Sequence, residues 1–286
     1  MKVVLFNVPK NSREAFRFQT DETAHFYDQL HTHPEWQVML IQKGEGTLIA
    51  GDFVGRFEPD DLFIIASGQP HVFRNDESYY QKKKTGNAKA ISLYVHERYM
   101  GETFWNLDEM KSVRNFFISA GSGFKVVGKT KKEIVEVIDQ LKNKKGVDKL
   151  IVYIRLLQIL SESKELEPLS VASQHTDTPV NEGKRMNDIL NFTFKESHRK
   201  IYLNEAAAIA NLSTEAFCRY FKLHTRKTYT NFLNEVRVSN ACKLLLNPEA
   251  SIQEVCYQSG FQNISNFNRI FKRVTGKAPS NYLKVS

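Results

Sequence analysis

Cysteine is scarce. The 286-residue chain has three, Cys218, Cys242 and Cys256, an odd number confined to its last third. That excludes a disulfide framework and suits the reduced thiols of a cytoplasmic protein. Long apolar runs are also missing: no stretch approaches the roughly 18 residues that a membrane-spanning helix needs. The opening MKVVLFNVPKNSR carries too short an apolar run for a secretory signal. Acidic residues are outnumbered 32 to 40 by Lys and Arg, and the deficit is local. Residues 1–180 hold 24 of each sign, whereas residues 181–286 hold 16 basic and 8 acidic, so the whole formal charge of +8 lies in the C-terminal segment. Net charge alone is explained by solubility. Its confinement to one end is the electrostatic footprint of nucleic-acid contact.

In that basic segment, residues 260–283 read GFQNISNFNRIFKRVTGKAPSNYL. Ile264, Phe267, Ile270, Phe271 and Val274 recur at steps of three and four, the period of one helix face. The other face carries Ser265, Asn268, Arg269 and Lys272. Gly276 suits a left-handed helix terminus and Pro279 the first turn of a short helix at 279–283. Upstream, residues 252–259 form a second short helix, with Gly260 in the turn between. Two helices joined by a tight turn, the second with a polar, basic face, make the helix-turn-helix pattern.

The pattern occurs twice. Leu203-Asn-Glu-Ala-Ala matches Ile252-Gln-Glu-Val-Cys at an offset of 49, and Arg219-Tyr-Phe-Lys222 matches Arg269-Ile-Phe-Lys272 at an offset of 50. Thr225, Lys227, Asn231, Phe232 and Leu233 match Thr275, Lys277, Asn281, Tyr282 and Leu283 at the same offset. The second copy therefore has one extra residue in its turn, and the whole reads as a duplicated unit. Between the copies, residues 229–246 lack Gly and Pro and predict an amphipathic helix of about 27 Å at 1.5 Å per residue. Such a rod holds two recognition helices near one DNA turn apart, roughly 34 Å.

This double motif resembles the DNA-binding domain of AraC/XylS transcription regulators. The second copy carries the hallmark residues Gly260-Phe261, Phe267, Arg269, Phe271-Lys272, Gly276, Pro279 and Tyr282. The first copy departs from it with Arg226 at the Gly276 position and Tyr229 at the Pro279 position. The DNA-facing residues expected in the first unit are Thr214, Glu215, Cys218, Arg219 and Lys222, and the resemblance places base contacts at Glu215, Cys218 and Arg219. In the second unit they are Asn263, Ser265, Asn266, Asn268, Arg269, Lys272 and Arg273. Glu215 accepts from cytosine N4, Asn268 pairs with adenine, and Arg219 and Arg269 donate twice to guanine. Lys272 and Arg273 suit phosphates, which fix register without reading sequence.

The N-terminal part reads as short strands at 36–41, 46–50, 62–65 and 90–95, separated by Gly, Pro and Asp turn signals, a small sandwich or barrel. His31-Thr-His33, Gln37, residues 44–46 and 59–61, and Gly68-Gln69-Pro70-His71 with Asn75 resemble a cupin, a barrel found as the sensor half of such regulators. The resemblance implies a ligand pocket at His31, His33, Gln37 and His71. In metal-binding cupins three His and a Glu hold a transition metal. Here the carboxylate position falls at Gln37 while Glu35 is offset by two, so the expectation is no cofactor, with His31, His33 and His71 the only metal candidates. Lys82-Lys83-Lys84 reads as a solvated loop. Residues 104–117 turn helical through Phe104, Leu107, Met110, Val113, Phe116 and Phe117. Amphipathic helices are expected at 131–141 and 149–160, the latter with Leu150, Tyr153, Ile154, Leu157 and Leu160 inward. They either cover the barrel or pair as the family's dimerising helices. Residues 161–182, His175 included, read as a flexible linker.

The expected fold is α+β and multidomain. Residues 1–100 form a cupin-like sensor barrel, 101–163 a helical dimerisation or covering segment, 164–180 a linker, and 181–286 an all-α double helix-turn-helix domain. The expected function is a cytoplasmic, sequence-specific transcription regulator, activating by default. Its partners are promoter DNA, RNA polymerase by resemblance, a small-molecule effector and a second copy of itself. The alternatives are a constitutive regulator whose barrel has no ligand, and a metal-dependent cupin enzyme fused to a DNA anchor.

Overall fold

The computed structural model describes residues 4–5, 8, 14–81, 87–119, 121–169, 180–225, 227–247 and 249–282. The Lys82–Lys84 run, His175, Arg226 and most of the expected linker lie outside them. Eleven strands are present among the described residues: β1 (Val4–Leu5), β2 (Arg17–Thr23), β3 (His31–Thr32), β4 (Trp36–Lys43), β5 (Gly46–Ala50), β6 (Phe53–Phe57), β7 (Leu62–Ile65), β8 (His71–Asn75), β9 (Ala88–Val95), β10 (Phe124–Val126) and β11 (Leu166–Pro168). They form a six-stranded sheet in the order β11-β10-β7-β4-β9-β2 and a five-stranded sheet in the order β1-β3-β8-β5-β6. Compactness divides the chain into two units, Leu5–Gly46 with Phe57–Thr176, and Asp177–Ser286 with Thr47–Arg56 and the first residues.

In the first unit the strands follow the period of two. Val38, Leu40, Ile91, Leu93 and Val95 pack outward into an apolar core, while Gln37, Met39, Ser92 and Tyr94 line a pocket on the other side. Both faces are covered, so β4 and β9 read as largely apolar runs, broken by Gln37 and Ser92 on the pocket side. After β9 come α1 (Glu97–Met100), α2 (Glu102–Trp105), α3 (Lys111–Ser119), α4 (Gly128–Asn143) and α5 (Gly146–Glu162). Ile134, Ile138 and Leu141 of α4 and Tyr153, Leu156, Leu157 and Leu160 of α5 complete the core over the six-stranded sheet. The helical pair therefore covers the barrel.

Two expectations for this region are corrected. Leu107 and Ile154, expected inward, are 45% and 38% exposed. Leu107 precedes a single 3-10 turn rather than sitting in a continuous helix. On α5 Tyr153, Leu157 and Leu160 face inward as expected, and the stripe widens through Val152, Leu156 and Ile159, which leaves Ile154 outward with Ile151 and Val147. The expected linker also begins with a strand. Leu166–Pro168 pairs antiparallel with β10, and Glu165 accepts from the Thr130 amide at 2.7 Å. The strand pairing and this side-chain bond tie a segment whose composition alone reads as unstructured.

The second unit contains α6 (Val180–Glu196), α7 (Leu203–Ile209), α8 (Thr214–Thr225), α9 (Tyr229–Leu244), α10 (Ile252–Gln258), α11 (Ile264–Thr275) and α12 (Pro279–Tyr282). α9 is 16 residues long, about 24 Å. It lacks the single apolar stripe expected of it because its two ends serve two cores. Tyr229 and Phe232 pack their rings on Phe221, whereas Val238, Ala241 and Cys242 join Val255, Cys256, Phe261, Phe267, Ile270 and Phe271. Among the described residues no helix is long and apolar enough to cross a membrane.

Candidate DNA interface and barrel pocket

The two helix-turn-helix units are built alike and differ where the sequence offset predicts. Four residues separate α7 from α8 and five separate α10 from α11. Asn211 takes the left-handed turn of the first unit with φ 53°, and Gly260 that of the second with φ 95°. Asn tolerates this region because its short polar side chain bonds locally. α8 starts from Ser213, whose Oγ accepts from the Ala216 amide at 3.3 Å, a helix N-cap. α11 starts from Asn263, whose Oδ1 accepts from the Asn266 amide at 2.9 Å. Gly276 closes α11 at φ 75° with its amide donating to the Lys272 carbonyl. Tyr229, which replaces the second copy's Pro279, is buried with its hydroxyl 2.9 Å from Thr193 Oγ1. That bond fastens the start of α9 to α6.

Phe217 and Phe221 anchor α8 inward, and Phe267, Ile270 and Phe271 anchor α11. The opposite face of α8 exposes Glu215, Cys218, Arg219 and Lys222, with Thr214 half-buried. That of α11 exposes Asn263, Ser265, Asn266, Asn268, Arg269, Lys272 and Arg273. Each set forms one surface on its own helix. Three of these residues have local contacts: Asn263 caps its helix, and Asn266 Oδ1 accepts from Arg269 Nη2 at 2.8 Å. Ile264 corrects the sequence reading. Expected inward, it is 38% exposed, because the first turn of α11 runs past the edge of its core and leaves an apolar side chain on the polar face.

The turn of the second unit rests on the chain after α6. Arg237 of α9 donates through Nε to the Ser197 carbonyl at 2.9 Å and through Nη2 to the Arg199 carbonyl at 2.6 Å. Its guanidinium lies 5.8 Å from the Phe261 ring centre. A Cβ on Gly260 would fall 2.0 Å from the Ser197 carbonyl oxygen. Glycine is required there on two grounds, its positive φ and this close approach.

In the first unit, a pocket of about 330 Å³ opens into the barrel, lined among others by Asp21, His31, Gln37, His71, Ser92 and Tyr94. β3 and β8 pair with His31 opposite His71. His31, His33 and His71 are all buried, and one ring nitrogen from each lies within 4.8 Å of the others. Backbone carbonyls hold the three Nδ1 atoms: Gln29 for His31 at 2.9 Å, Glu35 for His33 at 3.0 Å and Gln69 for His71 at 2.8 Å. Burial pushes the His31 ring down to about 4 and the His71 ring well below the ordinary imidazole value. Burial also lowers His33, against the bond to Gln37 and the nearby Glu35 charge, which raise it. The rings are neutral at physiological pH. Glu35, the offset carboxylate, lies on the Nδ1 side of His33, with Oε2 3.7 Å from that nitrogen, while its Oε1 accepts from the Tyr99 hydroxyl of α1 at 2.5 Å. The sequence brought the three His and Gln37 to one place. It missed Ser92, Tyr94 and Asp21, whose signal was the alternation of polar residues within β9 and β2.

Residues 186–284 match the family described as a helix-turn-helix domain, and residues 8–79 match the cupin domain family. The chain is a cupin domain joined to an AraC-type helix-turn-helix domain. It is 26% identical over 267 residues to the uncharacterized HTH-type transcriptional regulator YdeC of Bacillus subtilis (strain 168), covering 91% of this chain and 87% of the relative. It is 23% identical over 279 residues to the uncharacterized HTH-type transcriptional regulator YdiP of Escherichia coli (strain K12), covering 96% and 86%. It is 22% identical over 261 residues to the HTH-type transcriptional activator RhaR of Shigella dysenteriae serotype 1 (strain Sd197), covering 88% and 86%.

The cupin fold raises the question of a metal, and the donor chemistry answers it. Three buried neutral imidazoles meet in one place, and His71 Nε2 is buried without a hydrogen-bond partner. Imidazoles suit Zn²⁺, Ni²⁺, Cu²⁺ or Fe²⁺. The three ring nitrogens are a donor set that suits a borderline divalent ion, and no carboxylate joins them in the cluster.

Proposed function

We propose that this protein is a sequence-specific DNA-binding regulator of transcription whose α8 and α11 enter successive major grooves of promoter DNA. The observation that carries this is the paired recognition faces. Two helices, each anchored by phenylalanines on one side, expose Arg219 and Arg269 at equivalent positions on the other. Arg219 and Arg269 read guanine, and Asn268 adenine. Lys222, Lys272 and Arg273 neutralise phosphate. Ile264, beside them, meets a thymine methyl. The full-length relatives are named as regulators of transcription, which supports regulation over catalysis.

The barrel pocket is the effector site. Its volume, about 330 Å³, is that of a small-molecule cleft, and it mixes apolar walls with convergent polar groups. An effector acts by binding one arrangement of the protein more tightly than another. The protein works in the cytoplasm, pairs with a second copy through the exposed α5 stripe Val147, Ile151 and Ile154, and activates by touching RNA polymerase.

The test is selection of genomic fragments by the purified full-length protein, with and without cell-extract metabolites. The proposal expects a motif of two short blocks about 10 base pairs apart, recovered more strongly when extract is present. Sequence-independent, salt-sensitive binding in both arms would refute it.

A further inference from the structure

The barrel pocket carries charge of one sign. Asp21 and Asp28 line it, and the described residues around it include no Lys or Arg. Arg17, earlier on β2, lies off the lining and pairs with Glu14 at 3.7 Å. His31 and His71 add no charge, since burial keeps their rings neutral. The Asp21 charge reaches the interior: burial first, and that carboxylate next, push the Tyr94 hydroxyl up. The pocket also spends its own protons. Gln37 turns its NH₂ toward Ser92 Oγ at 2.9 Å and the Tyr94 hydroxyl at 3.3 Å. Thr23 Oγ1 donates to the His25 carbonyl at 2.7 Å, and Gln19 Nε2 to Asp21 Oδ1 at 2.6 Å. A carboxylate only accepts, so that contact fixes the sense of the Gln19 amide and leaves its Oε1 buried without a partner. His71, 1% exposed, donates from Nδ1 to the Gln69 carbonyl and keeps a bare lone pair on Nε2. Among the described lining residues, both unpartnered buried atoms are therefore acceptors. Desolvated acceptors without donors are unfavourable, and a cleft whose charges share one sign focuses its field on whatever enters.

We propose that the effector is a small organic cation, a primary amine on an apolar stem, with its ammonium paired to Asp21 and its stem against Phe26, Met39 and Phe73. This rests on the reading of the pocket as the effector site. An ammonium brings three donors and no acceptor, the complement of a lining rich in bare acceptors. Its charge is drawn to carboxylates and to the aromatic faces that wall the pocket. Asp28 adds to the same field. An effector ending in a carboxylate or phosphate meets like charge and lone pairs, and an alcohol brings one proton but no charge.

The experiment is isothermal titration of the full-length chain, dialysed against a chelator to strip any metal ion, at neutral pH and low salt. Phenethylamine, phenethyl alcohol and hydrocinnamate are compared, because they share one skeleton and differ in the head group: ammonium, hydroxyl or carboxylate. The amine is expected to bind about tenfold or more tighter than the alcohol, and the carboxylate not at all. Asp21→Asn weakens the amine about tenfold and leaves the alcohol unchanged, and Asp28→Asn weakens the amine less. Thermal unfolding without ligand shows whether each variant folds as the parent does; should Asp21→Asn fail to fold, Asp28→Asn and the head-group series carry the test. No binding of the amine, equal or tighter binding of the alcohol or the carboxylate, or an amine affinity unchanged in both variants overturns the proposal. The effector reading fails separately: it falls only if cell extract leaves the DNA selection unchanged, whereas tight binding of the alcohol or the carboxylate keeps the pocket and changes the class of its ligand.

Discussion

Gly260→Ala tests the packing logic of the second helix-turn-helix unit. The new Cβ would lie 2.0 Å from the Ser197 carbonyl oxygen and 2.9 Å from Arg237 Nε. Neither neighbour yields cheaply. The carbonyl is backbone, and Arg237 holds it at 2.9 Å while gripping the Arg199 carbonyl. Forcing alanine to φ 95° costs about 1–2 kcal/mol, and pushing the Ser197 turn aside adds about 1–3 kcal/mol of overpacking. The expected loss is therefore about 2–5 kcal/mol, a large share of the 5–15 kcal/mol typical of a domain. Gly276→Ala is the control. It also has a positive φ, 75°, but nothing lies within 4 Å of its Cβ, so only the conformational cost of about 1–2 kcal/mol applies. Both tryptophans, Trp36 and Trp105, precede residue 164 and do not report on this unit. The assay is hydrogen exchange of the full chain, read on peptides spanning α9 to α11. If Gly260→Ala opens those helices no more readily than Gly276→Ala, the argument from close approach fails.

Three further outcomes are expected. Arg269→Ala should cost about 1–3 kcal/mol at one base pair and relax specificity there, and an equal loss on every sequence in a competition assay would make Arg269 a phosphate contact. Glu205, lowered below its ordinary 4.5 by Arg199 and the Tyr202 amide, and Glu254, lowered by the Ser251 amide, contribute stability that is full above the unfolded carboxylate value. That stability is lost as pH falls through the lower folded values, so acid unfolding of the helical unit should be shallower in Glu205→Gln. Ile151→Glu should lower the mass seen by analytical ultracentrifugation without moving the thermal midpoint, because Ile151 is 59% exposed and only the proposed pairing of two copies would bury it.

The helical half of the fold was legible because each local signal had one physical meaning. Gly276 and Pro279 marked helix ends, the phenylalanines marked the inward stripe, and the repeat doubled every inference. What misled was the end of an element. Ile264 keeps the apolar period but lies beyond the core it points toward. α9 lost its single stripe because it packs into two cores at once. In the barrel, β4 and β9 were visible as apolar runs. β2 (RFQTDET) was not, since only its pairing along all seven residues with β9 makes it a strand. β11 likewise depends on β10 and on Glu165, partners distant in sequence. The pocket shows the same limit. The three His and Gln37 were readable through the cupin resemblance, whereas the sense of the Gln37 amide depends on Ser92 and Tyr94, more than fifty residues away.

The central claim is that one chain reads two successive major grooves through α8 and α11. Methylation interference on a selected fragment tests it most directly. The account predicts guanines whose modification blocks binding in two clusters, about 10 base pairs apart on one face of the duplex. Arg219→Ala should remove the effect from one cluster and Arg269→Ala from the other. Interference confined to a single groove, or two clusters that respond alike to both substitutions, would contradict it.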